Sequence, residues 1–128
     1  MNKSILLMVG AVVIMAGGLA IFKIQSQPSL PSALDTFTQC LKDSGATFYG
    51  AYWCPHCQAQ KALFGKSVKL LPYVECSKPD GQSQTQICAD KKITGYPTWE
   101  FADGSRESGE LSLATLATKT GCTYEDNN

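Results

Sequence analysis

The chain has 128 residues, 11 basic and 11 acidic side chains, and a formal net charge of zero. That length holds one small domain plus an appendage, and with no basic stripe or run the composition excludes an electrostatic nucleic-acid binder. Six cysteines are many for this size; an even number in a small domain suits an oxidising compartment, against the alternative of a reduced protein with buried free thiols.

Residues 5–24, ILLMVGAVVIMAGGLAIFKI, are apolar apart from Lys23. A helix of about 20 residues rising about 1.5 Å per residue crosses a hydrocarbon core of about 30 Å, and a lysine near its end can snorkel to the interface. Lys3 and the amino terminus favour a cytoplasmic start, although Lys23 on the far side dilutes that signal. The expectation is a single-pass cell-membrane anchor over residues 1–24, with the C-terminal domain on the exported side. Gly18-Leu19-Ala20 keeps a cleaved signal segment open, but the apolar run exceeds the usual signal core of about 7–15 residues.

Residues 25–31, QSQPSLP, read as a linker. A helix is expected over 32–44, with Leu34, Phe37, Thr38 and Leu41 on one face and Gly45 as its stop. A buried strand follows over 46–53, then a helix from Cys54 to about Gly65. Residues 68–71 continue as helix or turn until Pro72, and 73–76 form a short strand. Residues 77–83 are a loop, 84–92 a helix carrying Cys88, and 98–101 a strand after Pro97. Asp103-Gly104 is a hairpin turn, 106–109 a short edge strand, and 111–120 a last helix closed by Gly121. The domain spans 32–122, followed by a flexible tail over 123–128. The order α, β, α, β, α, β, β, α makes an α/β fold with a mixed central sheet flanked by helices.

The chemistry concentrates at Cys54-Pro55-His56-Cys57, with Trp53 directly before it. Two thiols two residues apart can close a disulfide within one helical turn, or pass that disulfide to another protein. At a strand-to-helix junction they sit at a helix N-terminus, where free N–H groups and aligned peptide dipoles favour the thiolate form of Cys54. Cys54 is therefore the expected nucleophile and the more exposed sulfur, and Cys57, one turn inside, the resolving thiol. His56, the only histidine, can sit beside the Cys54 thiolate and stabilise the reduced form, which makes the disulfide more oxidising. Tyr52 and Trp53 are read as an apolar rim, ordinary core packing being the alternative.

Trp-Cys-x-x-Cys after the first long strand, with Tyr96-Pro97-Thr98-Trp99 before another strand, resembles the thioredoxin fold over residues 32–121. The strings FYGAYWCPHCQAQKALFG, YVECSKPDG, ICADKKITGYPTW and SGELSLATLA look like the thioredoxin-like domain fused to, or partnered with, bacterial and plant homologues of vitamin K epoxide reductase. The resemblance implies a thiol–disulfide oxidoreductase that needs no cofactor beyond its redox-active disulfide. It implies exported cysteine-containing proteins as partners, and a separate quinone-linked membrane protein for re-oxidation, since no four-helix membrane domain lies in this chain. It implies a cis peptide before Pro97, which would face the dithiol while Tyr96 pairs with substrate through its backbone. It implies a second disulfide between Cys76 and Cys88, structural or relaying electrons.

Pro-His is also the central dipeptide of periplasmic oxidases of the DsbA type, which biases the expectation toward oxidation of substrates. Thioredoxins that reduce substrates carry a buried acid six residues before the first cysteine; here Phe48 takes that place, so proton uptake falls to water, Glu100 or another group. Cys40 and Cys122 remain. They can pair if the tail after Gly121 wraps round the sheet, because the resemblance to the thioredoxin fold implies that helices at these places lie on opposite faces; otherwise one is buried and the other bonds a partner. No metal is expected: zinc at Cys54, His56 and Cys57 lacks a further ligand pair within reach. The competing readings are a reductase or isomerase using the same residues, and a disulfide-stapled tethered binding module.

Overall fold

The computed structural model describes residues 32–125, beginning at the helix cap formed by Ser32. The Ser32 side chain accepts from the Asp35 backbone N–H, and the Asp35 carboxylate accepts from the Ser32 N–H, each at 3.1 Å. This reciprocal pair satisfies two otherwise orphaned donors and fixes the start of α1, Ala33–Asp43. Gly45 follows at φ +84°, a left-handed backbone that glycine adopts without steric cost.

The central strand β1, Thr47–Gly50, is shorter than its apolar run because residues 51–53 leave the sheet in a turn closed by the Cys54 N–H donating to the Ala51 carbonyl at 3.0 Å. Next come α2, Pro55–Ala62, and a 3-10 turn, Gly65–Leu70. Strand β2, Tyr73–Glu75, pairs parallel to β1, with Phe48 opposite Tyr73 and Gly50 opposite Glu75. Helix α3, Gln86–Asp90, is shorter than the expected 84–92, since Gln84 is held in a bridge to Ser77. Strand β3, Thr98–Glu100, pairs antiparallel to β1, and β4, Arg106–Ser108, antiparallel to β3. The sheet order is β2-β1-β3-β4, which puts β4 at an edge. Helix α4, Leu113–Thr120, closes on Gly121 at φ +75°.

Strand alternation divides the core between the two sheet faces. One cluster gathers Phe48 and Trp99 with Phe37 and Leu41 of α1, Phe64, and Leu116 of α4. Phe48 stacks on Trp99 with ring centroids 5.0 Å apart. The other cluster gathers Tyr49, Cys76, Cys88 and Ile93. Buried Gln60 on α2 ties the layers together: its amide donates to the Leu111 carbonyl at 3.0 Å, and its oxygen accepts from the Leu111 N–H at 2.7 Å and the Trp99 indole at 3.3 Å.

Two disulfides staple the domain: Cys76–Cys88 with Cα atoms 5.5 Å apart, and Cys40–Cys122 at 5.9 Å. The second corrects the expected placement of the end helices. Helices α1 and α4 contact one another and share one core cluster, so they cover the same face and the tail need not wrap round the sheet. Tyr124, expected in a flexible tail, packs on Phe37 with ring centroids 5.3 Å apart. The expected anchor and linker, residues 1–31, lie outside the described residues, as do 126–128. Among the described residues no helix is long and apolar enough to cross a membrane.

The two staples close loops of very different length, with sequence separations of 82 and 12. In the chain-entropy account the longer loop contributes about 4.5 kcal/mol and the shorter about 3 kcal/mol. Paired alanine substitution at Cys40 and Cys122 is therefore expected to lower the unfolding free energy more than the same change at Cys76 and Cys88, as read from urea midpoints and slopes.

Candidate active site

Cys54 is the N-cap of α2, in extended conformation at φ −78° and ψ 119°, and Pro55 is the first helical residue. Proline suits that position because its missing N–H would have had no intrahelical partner and its ring presets φ. The Cys54 carbonyl accepts the first helical bond from Gln58 N–H at 3.1 Å, but its side chain caps nothing and stays available for chemistry. Its Sγ donates to the Tyr96 carbonyl at 3.7 Å. The Tyr96–Pro97 peptide bond is cis. Sequence-distant residues 54 and 96–97 thus meet at the mouth of the site.

Cys54 and Cys57 are both unbonded thiols, Cys54 at 6 % exposure and Cys57 at 0 %. A Cβ on Gly50 would lie 2.9 Å from Cys57 Sγ and 2.9 Å from Tyr73 Cε2, so the close approach of α2 to β1 needs a glycine. Burial pushes the Cys57 thiol up to about 12, reinforced by the neighbouring Cys54 and opposed by a hydrogen bond with the Ala51 backbone and by the Lys61 charge.

The partner that His56 has in the structure is a carboxylate rather than a sulfur. Its Nδ1 lies 2.7 Å from Glu110 Oε1 across an exposed pair, and Glu110 went unnoticed in the sequence. Tyr52 and Trp53 are each 48 % exposed. Trp53 donates its indole N–H to Ser77 Oγ at 2.8 Å and meets Tyr96 edge-on, ring centroids 6.1 Å apart. Tyr52 Oη donates to the Pro79 carbonyl at 3.3 Å. Gln84 donates to Tyr96 Oη at 2.9 Å. Loop 77–84 therefore backs the aromatic rim, and the Cys76–Cys88 bond fixes the base of that loop.

Phe48 is fully buried between Trp99 and Tyr73, and β1 carries no carboxylate. Glu100, the carboxylate offered as a proton group, stands opposite Thr47 and is bonded to Arg106 and to Lys91. Burial alone would raise its carboxyl, but those two cations outweigh it and hold the group below the usual range. It is committed to that ion pair. The sequence reading passed over another carboxylate, Glu75, which stands opposite Gly50 on β2. Its Oε2 accepts from Tyr73 Oη at 2.6 Å, and its Oε1 accepts from the N–H groups of Tyr52 at 3.2 Å and Ser77 at 2.8 Å. The signal was available: Tyr73 and Glu75 are two apart on a strand and so share the face of Phe48 and Gly50.

A mixed sheet, a dithiol at the start of a helix and a cis proline facing it define a thioredoxin-like α/β fold. A sequence model of the thioredoxin family matches residues 32–119, and the chain belongs to that family. It is 44 % identical over 108 residues to the protein named Thiol-disulfide oxidoreductase LTO1 of Arabidopsis thaliana, covering 80 % of this chain and 28 % of that one. It is 37 % identical over 68 residues to Protein disulfide-isomerase A2 of Pongo abelii, covering 49 % of this chain and 13 % of that one. It is 35 % identical over 75 residues to the Drosophila melanogaster Thioredoxin domain-containing protein 5 homolog, covering 53 % and 18 %. The chain thus spans little more than a quarter of the length of these curated relatives at most. Family and geometry together give the chain the dithiol site of a thioredoxin domain.

The elevated Cys57 thiol has a consequence for stability. An unfolded cysteine ionises near about 8.5, whereas folded Cys57 holds its proton to about 12. Between those values the folded reduced chain binds more protons than the unfolded one, so its stability falls as pH rises. With the Cys54–Cys57 disulfide closed, this dependence vanishes. Denaturant midpoints of the two redox forms at pH 7 and pH 10 are expected to diverge, with the reduced form losing more.

Proposed function

We propose that this chain is an exported, membrane-anchored thiol–disulfide oxidoreductase that donates its Cys54–Cys57 disulfide to other exported proteins. The observation that carries the reading is the asymmetry of the dithiol: Cys54 Sγ lies at the helix start facing the Tyr96 carbonyl, while Cys57 is sealed behind it with no carboxylate on β1. The apolar run over residues 5–24 supports the anchor, and the two further disulfides support an oxidising compartment.

A substrate thiolate attacks Cys54 Sγ; the Cys54–Cys57 bond breaks, and Cys57 leaves as a thiolate and takes up a proton. The substrate's second thiolate then attacks its own sulfur in the mixed disulfide and expels Cys54. The substrate loses two electrons and the dithiol gains them. Pro55 presets the helix start, and Trp53 and the Tyr96 backbone form the wall against which an extended substrate segment lies, with Pro97 itself buried. His56 stands exposed on the first turn of α2, paired with Glu110. Re-oxidation removes two electrons and two protons, and the resemblance to domains fused to or partnered with vitamin K epoxide reductase homologues supports a quinone-linked membrane protein as the oxidant.

Isomerisation by the same residues is the second reading, favoured by the similarity to a protein named as a disulfide isomerase. Trapping separates the two. The variant Cys57→Ala, expressed in cells, is expected to accumulate Cys54-linked mixed disulfides with reduced exported substrates, and Cys54→Ser to lose all oxidation of a reduced test protein. Full activity in Cys54→Ser would end the proposal, and trapped clients that are already mispaired would favour isomerisation.

A further inference from the structure

Cys57 must lose a proton whenever it attacks a mixed disulfide on Cys54, and the groups able to ease that step can be enumerated. On its own helix they are Cys54 and Lys61. From β2 they are Tyr73 and Glu75. Strand β1 presents Phe48 and no acid, and β3 presents Trp99, with Glu100 tied to Arg106 and Lys91. The His56–Glu110 pair lies outside, on the exposed surface.

Lys61 follows Cys57 by four residues, so the two share a helix face. Its Nζ sits 3.4 Å from the centroid of the Tyr73 ring. The edge of that ring and Cys57 Sγ converge on one point above Gly50, each 2.9 Å from where its Cβ would stand. Tyr73 cannot swing away, because its Oη is bonded to Glu75, and Glu75 in turn holds two backbone N–H groups. The Lys61 ammonium thereby rests on the face of the ring whose edge meets Cys57, and the carboxylate of Glu75 holds that ring in place.

We propose that Lys61, Tyr73 and Glu75 are positioning residues that set the ease with which Cys57 gives up its proton, Lys61 favouring the thiolate and Glu75 opposing it. They occupy the part left open by Phe48. The step they govern is balanced: the Cys57 thiol proton passes to solvent base, the thiolate attacks Cys54 Sγ, and the bond from Cys54 to its adduct breaks with the adduct leaving as thiolate. The raised Cys57 thiol, which Lys61 draws back down, accords with this arrangement. So does the Tyr73 phenol, raised first by burial and then by Glu75, which keeps its proton and remains a donor to the carboxylate.

The inference rests on the roles proposed above for Cys54 and Cys57, whichever way electrons flow. It is tested by stopped-flow measurement of glutathione release from Cys54 in the purified full chain, between pH 6 and pH 10. Lys61→Gln is expected to slow release at pH 7 by about three- to tenfold, the effect of moving a thiol by half a unit to one unit, and to displace the pH profile upward. Lys61→Arg keeps the charge and is expected to restore the native profile. Glu75→Gln keeps hydrogen-bonding capacity but removes the negative charge; it is expected to speed release about threefold and displace the profile downward. A merely structural role would not move the two profiles in opposite directions. Profiles that coincide with the native one, or shift the same way, overturn the proposal. A chain that never forms the Cys54 adduct overturns the assigned roles of the two cysteines and this inference with them.

Discussion

Cys57 is held at zero exposure between the first turn of α2 and the end of β1, and much of the site's design follows from that burial. A thiolate there would stand in a poorly solvated place, so the position favours either a neutral thiol or a disulfide. Exchange with an outside sulfur then falls to Cys54, which lies at the helix start under the Tyr96 carbonyl. To bring α2 this near the sheet, β1 must end in Gly50, and the space beneath must be filled by flat rings, Phe48 on Trp99 and Tyr73. Gln60, a polar side chain that this packing buries, is bonded to Leu111 and Trp99.

Around this centre the chain holds its exposed aromatics by hydrogen bonds rather than by burial. Trp53 and Tyr52 face solvent over about half their surface, yet Ser77 and Pro79 fix their polar ends, and Tyr96 is fixed by Gln84. The result is an apolar surface with little side-chain freedom left to lose when a partner settles on it, which lowers the entropic cost of association. Each disulfide strengthens a different part of the frame: Cys40–Cys122 closes α1 onto the end of α4, and Cys76–Cys88 closes β2 onto α3 below the loop that backs the rim.

Much of this was legible in the residues. Ser32 with Asp35, Pro55 after Cys54, Asp103-Gly104 and Gly121 are local signals, and each marks an element boundary or turn in the structure. The Trp-Cys-x-x-Cys string and Tyr96-Pro97 located the two halves of the mouth. What eluded the sequence depends on tertiary placement. Glu110 meets His56 across 54 positions, and Glu75 reaches Tyr52 across 23, and no local pattern encodes either contact. The shared face of α1 and α4 was misjudged because their placement was taken from the resemblance to the thioredoxin fold, helical periodicity itself saying which side of a helix is buried but not which face of the sheet receives it. The strand over 46–53 was drawn too long because Ala51, Tyr52 and Trp53 are as apolar as the strand itself, while their backbone is already turning into the site.

The central claim is that a buried dithiol with no carboxylate on β1 hands its disulfide outward. Its most direct test is the equilibrium reduction potential of Cys54–Cys57 in the full chain, measured against glutathione with the other two disulfides intact. The account predicts a value at or above that of disulfide isomerases, about −180 mV, where the disulfide is readily given away. A value near about −270 mV, that of thioredoxin, would mean that the pair holds its disulfide and passes electrons the other way, and would contradict it.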